Sequence, residues 1–174
     1  MKIIISDNND SFTHNLAHLV FRTSGFKPEV MPWTELTAAR AAEADHLFIS
    51  PGPGCPAEYP LYSFIKDITA HVTGICLGMQ ILNEIHGGTT TRAPLPVHGK
   101  TDVIEWQGGS RRVARYHSLY CGKVASCFDI ESANADGLPM IIRHKTNPFT
   151  GFQFHPESFL TENGGEFIAY ALGK

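Results

Sequence analysis

Cys76 sits in the stretch "GICLG" (residues 74–78), directly after the apolar run "HVTGI" and directly before "LGMQILNEIHGG". Glycine, any residue, nucleophile, any residue, glycine is the pattern of a nucleophile elbow, here with a thiol in place of the hydroxyl. The flanking glycines permit a sharp strand-to-helix turn. The helix that follows aims its first N–H groups and its positive dipole end at the sulfur, which favours negative charge there. The amide of Leu77 would face an oxyanion forming at a carbonyl under attack. Taken alone, the pattern divides between catalysis and the ordinary packing of a cysteine at a strand end.

A thiol nucleophile needs a base, and no histidine or acid adjoins Cys76, so the base must come from elsewhere in the chain. Of the nine histidines, His155 in "GFQFHPES" stands out. Pro156 biases the residue before it toward extended geometry, and residues two apart in an extended segment face the same way. His155 and Glu157 can therefore meet, the carboxylate setting the imidazole tautomer and stabilising its protonated form. The plain alternative is a strand end followed by a surface glutamate. His117 in "RYHSL" is the rival base; it has no carboxylate at close spacing and reads as a packed or hydrogen-bonded histidine. His14, His18, His46, His71, His86, His98 and His144 are scattered over candidate helices, edges and turns, and no chemistry is assigned to them. "SPGPG" (residues 50–54) brings main chain close to a ligand without a Cβ in the way. It lacks the GK[ST] of a phosphate-binding loop, so it reads either as a tight turn or as a second oxyanion donor.

These residues need a framework, and the chain has the length for one. Its 174 residues suit a single domain, residues 1–174, with enough core to need no disulfide or metal staple. The composition is 43% hydrophobic and 18% charged with a net charge of -3, which offers no electrostatic reason for nucleic acid or an anionic membrane as partner. No run approaches the ~20 apolar residues of a membrane span. The start "MKIIISDNND" lacks the apolar core of a signal peptide, so a cytoplasmic location is expected. Cys55, Cys121 and Cys127 read as packing residues, and the absence of a CxxC pair argues against structural zinc.

The elements expected to hold the site alternate. "KIIIS", "PEVMPW", "HLFIS" and "HVTGI" are strand-like. "FTHNLAHLVFRT", "ELTAARAAEA", "LYSFIKDIT" and "LGMQILNEI" are helical, with Ser11 as a candidate cap for the first. Such alternation predicts an α/β fold: an open, mostly parallel, flavodoxin-like central sheet flanked by helices. In the second half, "TDVIEW", "RRVARYHSL", "LPMIIRH" and "FTGFQFH" predict antiparallel strand additions, and "ENGGEFIAYAL" a closing helix capped by Thr161. "PGPG" and "GICLG" both follow predicted strands, which puts them on one rim, where such sheets bind ligands.

Taken together, "SPGPG", "GICLGMQ" and "GFQFHPES", in that order along nearly the whole chain, resemble a class I (triad-type) glutamine amidotransferase domain. "DNNDSFTHNL", "VHGK" and "RYHSL" narrow the resemblance to the glutaminase subunits of anthranilate synthase and aminodeoxychorismate synthase. The resemblance implies Cys76 as nucleophile, His155 as base and acid, and Glu157 as the orienting carboxylate. It implies that Gly52, Pro53 and Gly54 line the glutamine pocket, with the amides of Gly54 and Leu77 forming the oxyanion hole. Gln80, one helical turn beyond Cys76, and the Ser118 and Leu119 backbone would hold the amino-acid end of L-glutamine. No metal or organic cofactor is required. The implied partner is a chorismate-aminating synthase subunit, the resemblance leaving open the tryptophan or the folate branch. Two departures stand out. The elbow helix of the family usually reads "CLGHQ", where this chain has Met79, and the segment between "HGK" and "RYHSL" is about ten residues short of the family's usual length. A stand-alone γ-glutamyl hydrolase or cysteine peptidase would use the same triad. A non-catalytic glutamine-binding regulatory subunit would have no use for it.

Overall fold

Ile3, Ile4 and Ile5 are consecutive, β-branched and all buried, as a central strand covered on both faces requires. In the computed structural model they begin the first of nine strands: β1 (Ile3–Asp7), β2 (Glu29–Pro32), β3 (His46–Ile49), β4 (His71–Ile75), β5 (Thr89–Trp106), β6 (Gly109–Lys123), β7 (Phe128–Ala133), β8 (Pro139–His144) and β9 (Phe149–Phe152). The helices are α1 (Thr13–Ser24), α2 (Ala38–Ala42), α3 (Leu77–Ile85) and α4 (Gly164–Ala171). The structure describes the backbone of residues 1–174 and every side chain except those of Leu95, Val97 and His98, so the "VH" of "VHGK" and the expectation for His98 lie outside the described side chains.

Seven strands form one sheet in the order β2-β1-β3-β4-β9-β8-β7. The first five are mutually parallel, while β8 runs antiparallel to β9 and β7 to β8. This is the mostly parallel sheet with antiparallel additions that the sequence predicts, except that "FTGFQFH", expected among the additions, forms β9 and joins the parallel part beside β4. Its parallel part has the flavodoxin-like order, with β9 in fifth place. Alternation along β1 sends Ile4 to one face and Ile3 and Ile5 to the other, seeding two cores. One core joins Leu47, Tyr62, Leu77, Met79 and Phe149. The other joins Leu16 and Val20 of α1 to Phe152, Phe154 and Phe167.

Three further expectations are corrected. "TDVIEW" and "RRVARYHSL" do not add to the main sheet. They pair with each other in a separate two-stranded ribbon, β5–β6, which buries Ile104, Trp106 and Val113 in the core shared with α4, the Trp106 ring lying against Phe167. The ribbon turns over Gln107 (φ 48) and Gly108 (φ 75), joining Trp106 to its partner Gly109 in two residues, and both positive φ values mark a type I′ hairpin. The segment read as shortened is closed by this tight turn. "LYSFIKDIT" is 3-10 helix over Pro60–Asp67, not α-helix. Neither predicted cap acts as one: Asp10 Oδ1, not Ser11, accepts from the Phe12 amide at the start of α1, and α4 follows Asn163 in a left-handed conformation. β7 had no clear sequence pattern, since only Phe128 and Ser132 among its residues are buried. No helix among the described residues is long and apolar enough to cross a membrane.

Candidate active site

β3 and β4 both end at the same rim of the sheet, and each hands the chain to one half of the site. Beyond β4 the backbone turns at Cys76, whose φ of 52 and ψ of -103 are unusual for a residue with a Cβ. Such a conformation costs on the order of 1–3 kcal/mol and persists only where its surroundings hold it. Here the Cys76 amide donates to the Phe152 carbonyl of β9 at 2.7 Å, and α3 begins at the next residue. Gly74 and Gly78 play a different part from the one expected. Neither has a positive φ; the turn is made by Cys76 itself. The glycines allow close approach. A Cβ on Gly74 would lie 2.3 Å from the backbone of Gly78, and one on Gly78 would lie 2.3 Å from the Ile49 carbonyl oxygen. The elbow therefore nests directly against β3. As the first residue of α3, Leu77 has an amide with no intrahelical acceptor.

His155 and Glu157 do meet, with Nδ1 and Oε1 2.7 Å apart and both residues buried. They meet across a turn rather than along a strand: β9 ends at Phe152, and the Ser158 amide donates back to the His155 carbonyl with Pro156 inside the turn. The main chain of His155 is pinned on both sides. Its amide donates to Ala114 of β6, and its carbonyl accepts from Thr161 Oγ1 at 2.6 Å. This is the role Thr161 takes in place of capping. The rings of Phe12 and Tyr116 enclose the imidazole at 5.3 and 5.1 Å. Burial works against a charged ring there, yet the Glu157 carboxylate and the Cys76 sulfur outweigh it and hold the His155 pKa well above the ordinary imidazole value. Nε2 of His155 is buried and makes no hydrogen bond of ordinary length, although the sulfur is near enough to raise the ring's proton affinity.

A cavity of about 240 Å³ opens over Cys76. Gly52, Pro53, Gly54, Leu77, Gln80, Ser118 and Leu119, the seven residues expected in the pocket, all line it with Cys76, and so do Tyr116 and His117. The "SPGPG" wall is held from below. Asn8 Nδ2 donates to the Ser50 carbonyl at 2.8 Å, Tyr62 donates to Asn8 Oδ1 at 2.6 Å, and Tyr59 donates to the Pro53 carbonyl at 3.0 Å. Gly54 has φ 74, and a Cβ there would lie 2.3 Å from the Glu58 carboxylate, which itself accepts from the Cys55 amide. A side chain there would be strained by the positive φ and would have to displace the Glu58 carboxylate.

The family model described as "Glutamine amidotransferase class-I" matches residues 4–172. The chain belongs to that family. Among curated relatives, it is 37% identical to anthranilate synthase component 2 of Halobacterium salinarum, over 99% of this chain and 97% of that protein. It is 36% identical to an aminodeoxychorismate synthase of Streptomyces griseus, over 97% of this chain but 25% of that longer protein. A solved structure of a GMP synthase component from Thermoplasma acidophilum superposes with a TM-score of 0.87 at 24% identity, covering 99% of this chain and 92% of its own, and this likeness supports the fold.

Within this amidotransferase, Met79 faces away from the cavity. It is fully buried in the core against Gly151 of β9, where a Cβ would lie 2.7 Å from Met79 Cγ. His117 is the hydrogen-bonded histidine expected: it accepts from Arg115 Nε at 3.0 Å and meets the Leu119 carbonyl at 2.9 Å. Sequence reasoning passed over Gln153, whose Nε2 lies 3.7 Å from the Cys76 sulfur. The signal was present, since Gln153 precedes His155 by the same two-residue spacing that singled out Glu157. Tyr116 and Phe12 had no such signal, because only the fold brings α1 and β6 to the ring of His155.

Proposed function

We propose that the chain is the glutaminase component of a chorismate-aminating synthase, one domain spanning residues 1–174. The Cys76 thiolate attacks the side-chain amide carbon of L-glutamine held in the cavity. The amides of Leu77 and Gly54 receive the oxyanion, each donor worth on the order of 3 kcal/mol. His155, protonated through Nε2 and steadied at Nδ1 by Glu157, gives its proton to the departing nitrogen, and ammonia leaves a glutamyl thioester on Cys76. A water then yields a proton to His155 and attacks the thioester, releasing glutamate and restoring the thiolate. The observation that carries this reading is the buried, unpartnered Nε2 of His155 beside the sulfur. A polar atom left without a partner in a packed interior calls for a reason, and proton exchange with Cys76 and its substrate supplies one.

The consumer of the ammonia is read from the relatives. In the Streptomyces griseus protein, the region similar to this chain is a quarter of a longer aminodeoxychorismate synthase, whereas the Halobacterium salinarum relative, matched over 97% of its length, is named as a component 2. In this system a separate synthase subunit takes the corresponding place, and the pair works in the cytoplasm. The test is Cys76→Ser in a complex with the co-purifying synthase. Glutamine-dependent synthesis should disappear while ammonia-dependent synthesis persists. Loss of both in an assembled complex, or retention of both, refutes the division of labour. The position of the amino group in the product, ortho or para, assigns the branch.

A further inference from the structure

The polar contacts around Gln80 and Gln153 have only one possible direction. Arg115 can only donate, so its Nε–H fixes His117 Nε2 as an acceptor, and His117 Nδ1 must carry the proton it gives to the Leu119 carbonyl. The Leu119 carbonyl can only accept, so the atom of Gln80 that lies 3.0 Å from it is the amide nitrogen. That nitrogen's second hydrogen goes to Gln153 at 3.2 Å, which makes the facing atom of Gln153 its oxygen. The nitrogen of Gln153 is thereby turned toward Cys76 Sγ. At the far end, Arg115 is itself held by Asp102 at 2.7 Å, and Asn134 donates to the same Asp102 oxygen at 2.8 Å. Gln80 is 2% exposed and Gln153 0%, so bulk solvent does not compete for the contact between them.

We propose that Gln153 is a further functional residue of the site: it donates a hydrogen bond to the Cys76 sulfur in its thiolate form, in an orientation imposed by the Leu119 carbonyl of the β5–β6 ribbon through Gln80. The inference rests on the reading of Cys76 as the nucleophile. It has a consequence for the cavity as well. Both N–H groups of Gln80 are committed inward, so Gln80 offers a ligand its carbonyl oxygen, and a substrate ammonium that accepts this offer pulls on the same amide that orients Gln153. Glutamine occupancy and the state of the sulfur are linked through two side chains. Other titratable groups interacting with the sulfur are His155 and the buried Cys121, and α3 brings no acidic residue in its first turn.

The experiment follows Cys76 alkylation by iodoacetamide against pH in the full chain, with the modified Cys76 peptide quantified by mass spectrometry. Gln153→Met removes both the donor and the acceptor. Gln153→Glu keeps an acceptor for Gln80 and removes the donor. Losing one N–H donor to a charged group costs about tenfold at this long N–S distance, so the alkylation midpoint should rise by about one pH unit in Gln153→Met and by more in Gln153→Glu, whose carboxylate also repels the thiolate, with kcat falling in step. A residue that merely supported Gln80 would raise KM for glutamine, leave the midpoint in place, and be rescued by glutamate. Either an unmoved midpoint or rescue by Gln153→Glu overturns the proposal. If Gln153→Met fails to fold, the neutral Gln153→Leu takes its place and is read by the same midpoint, because the charge of Gln153→Glu would by itself raise it. Because alkylation needs no glutamine, a raised midpoint in a chain that releases no glutamate would keep this inference and refute the proposed function.

Discussion

Gly74→Ala and Gly78→Ala test whether the elbow needs glycine for freedom or for space. Neither position has a positive φ. If backbone conformation alone decided the outcome, alanine would stabilise the fold by about 0.4–1 kcal/mol, by restricting the unfolded chain. The structure predicts the opposite sign. The new Cβ on residue 78 would stand 2.3 Å from the Ile49 carbonyl oxygen, where ordinary contact begins at 3.4 Å, so α3 and β3 must part by about 1 Å. On residue 74 the obstacle is again backbone, the Gly78 carbonyl carbon at 2.3 Å. Overpacking of this kind costs about 1–3 kcal/mol, and at this chain length each kcal/mol lowers Tm by roughly 2–4 °C. A fall of roughly 2–12 °C in a thermal melt is expected for each variant. Because the displaced helix carries Cys76 with it, a 1 Å shift should also cost roughly 100-fold in glutamate release. Gly87→Ala is the control: its φ of 95 strains an alanine, but nothing lies within 4 Å, so it should lose stability without losing turnover. If Gly78→Ala melted at or above the parent temperature with full turnover, the close-approach argument would be wrong.

The remaining expectations concern Met79, the His155–Glu157 pair and the ribbon turn. Met79→His should leave turnover nearly unchanged, since residue 79 faces the core, but burying an unpaired imidazole there should cost about 1–3 kcal/mol and lower Tm accordingly. The His155 pKa is higher in the folded chain than the ~6.5 of an unfolded one, so the pair's contribution to stability is fully present below pH ~6.5 and fades as pH rises through the folded value. Melts of the parent and Glu157→Gln should therefore differ most at about pH 6 and converge in alkaline buffer. A gap that widened with pH would contradict this sign. Gln107→Asn should raise Tm by roughly 1–3 °C without changing activity, because asparagine tolerates the left-handed conformation that Gln107 adopts at φ 48.

Much of the site was legible because its residues occur in short local patterns. "SPGPG", "GICLG" and "HPE" each bring their own turn, and a parallel sheet delivers strand ends to one rim whatever the details of its packing. The seven expected pocket residues line the cavity for that reason. What escaped notice depends on pairing between distant segments. The strands of the ribbon carried the right pattern, but nothing local says whether a strand joins a sheet or folds on its neighbour. The two-residue turn at Gln107 and Gly108 and the packing of Trp106 against Phe167 and Tyr170 of α4 settle that. The antiparallel partner β7 was illegible because most of its residues face solvent.

The sequence by itself determined which residues can do chemistry here: a thiol at an elbow, a histidine with a carboxylate two residues on, and glycines where main chain must come close. Only the tertiary structure decided how they act. It moved the unusual backbone conformation from the glycines to Cys76, because β3 leaves no room for a Cβ on Gly78. It closed His155 onto Glu157 through a turn pinned by Ala114 and Thr161. It also turned the amide of Gln153 toward the sulfur, since hydrogen-bond direction is dictated by partners that lie far away in sequence, here the Leu119 carbonyl and Gln80.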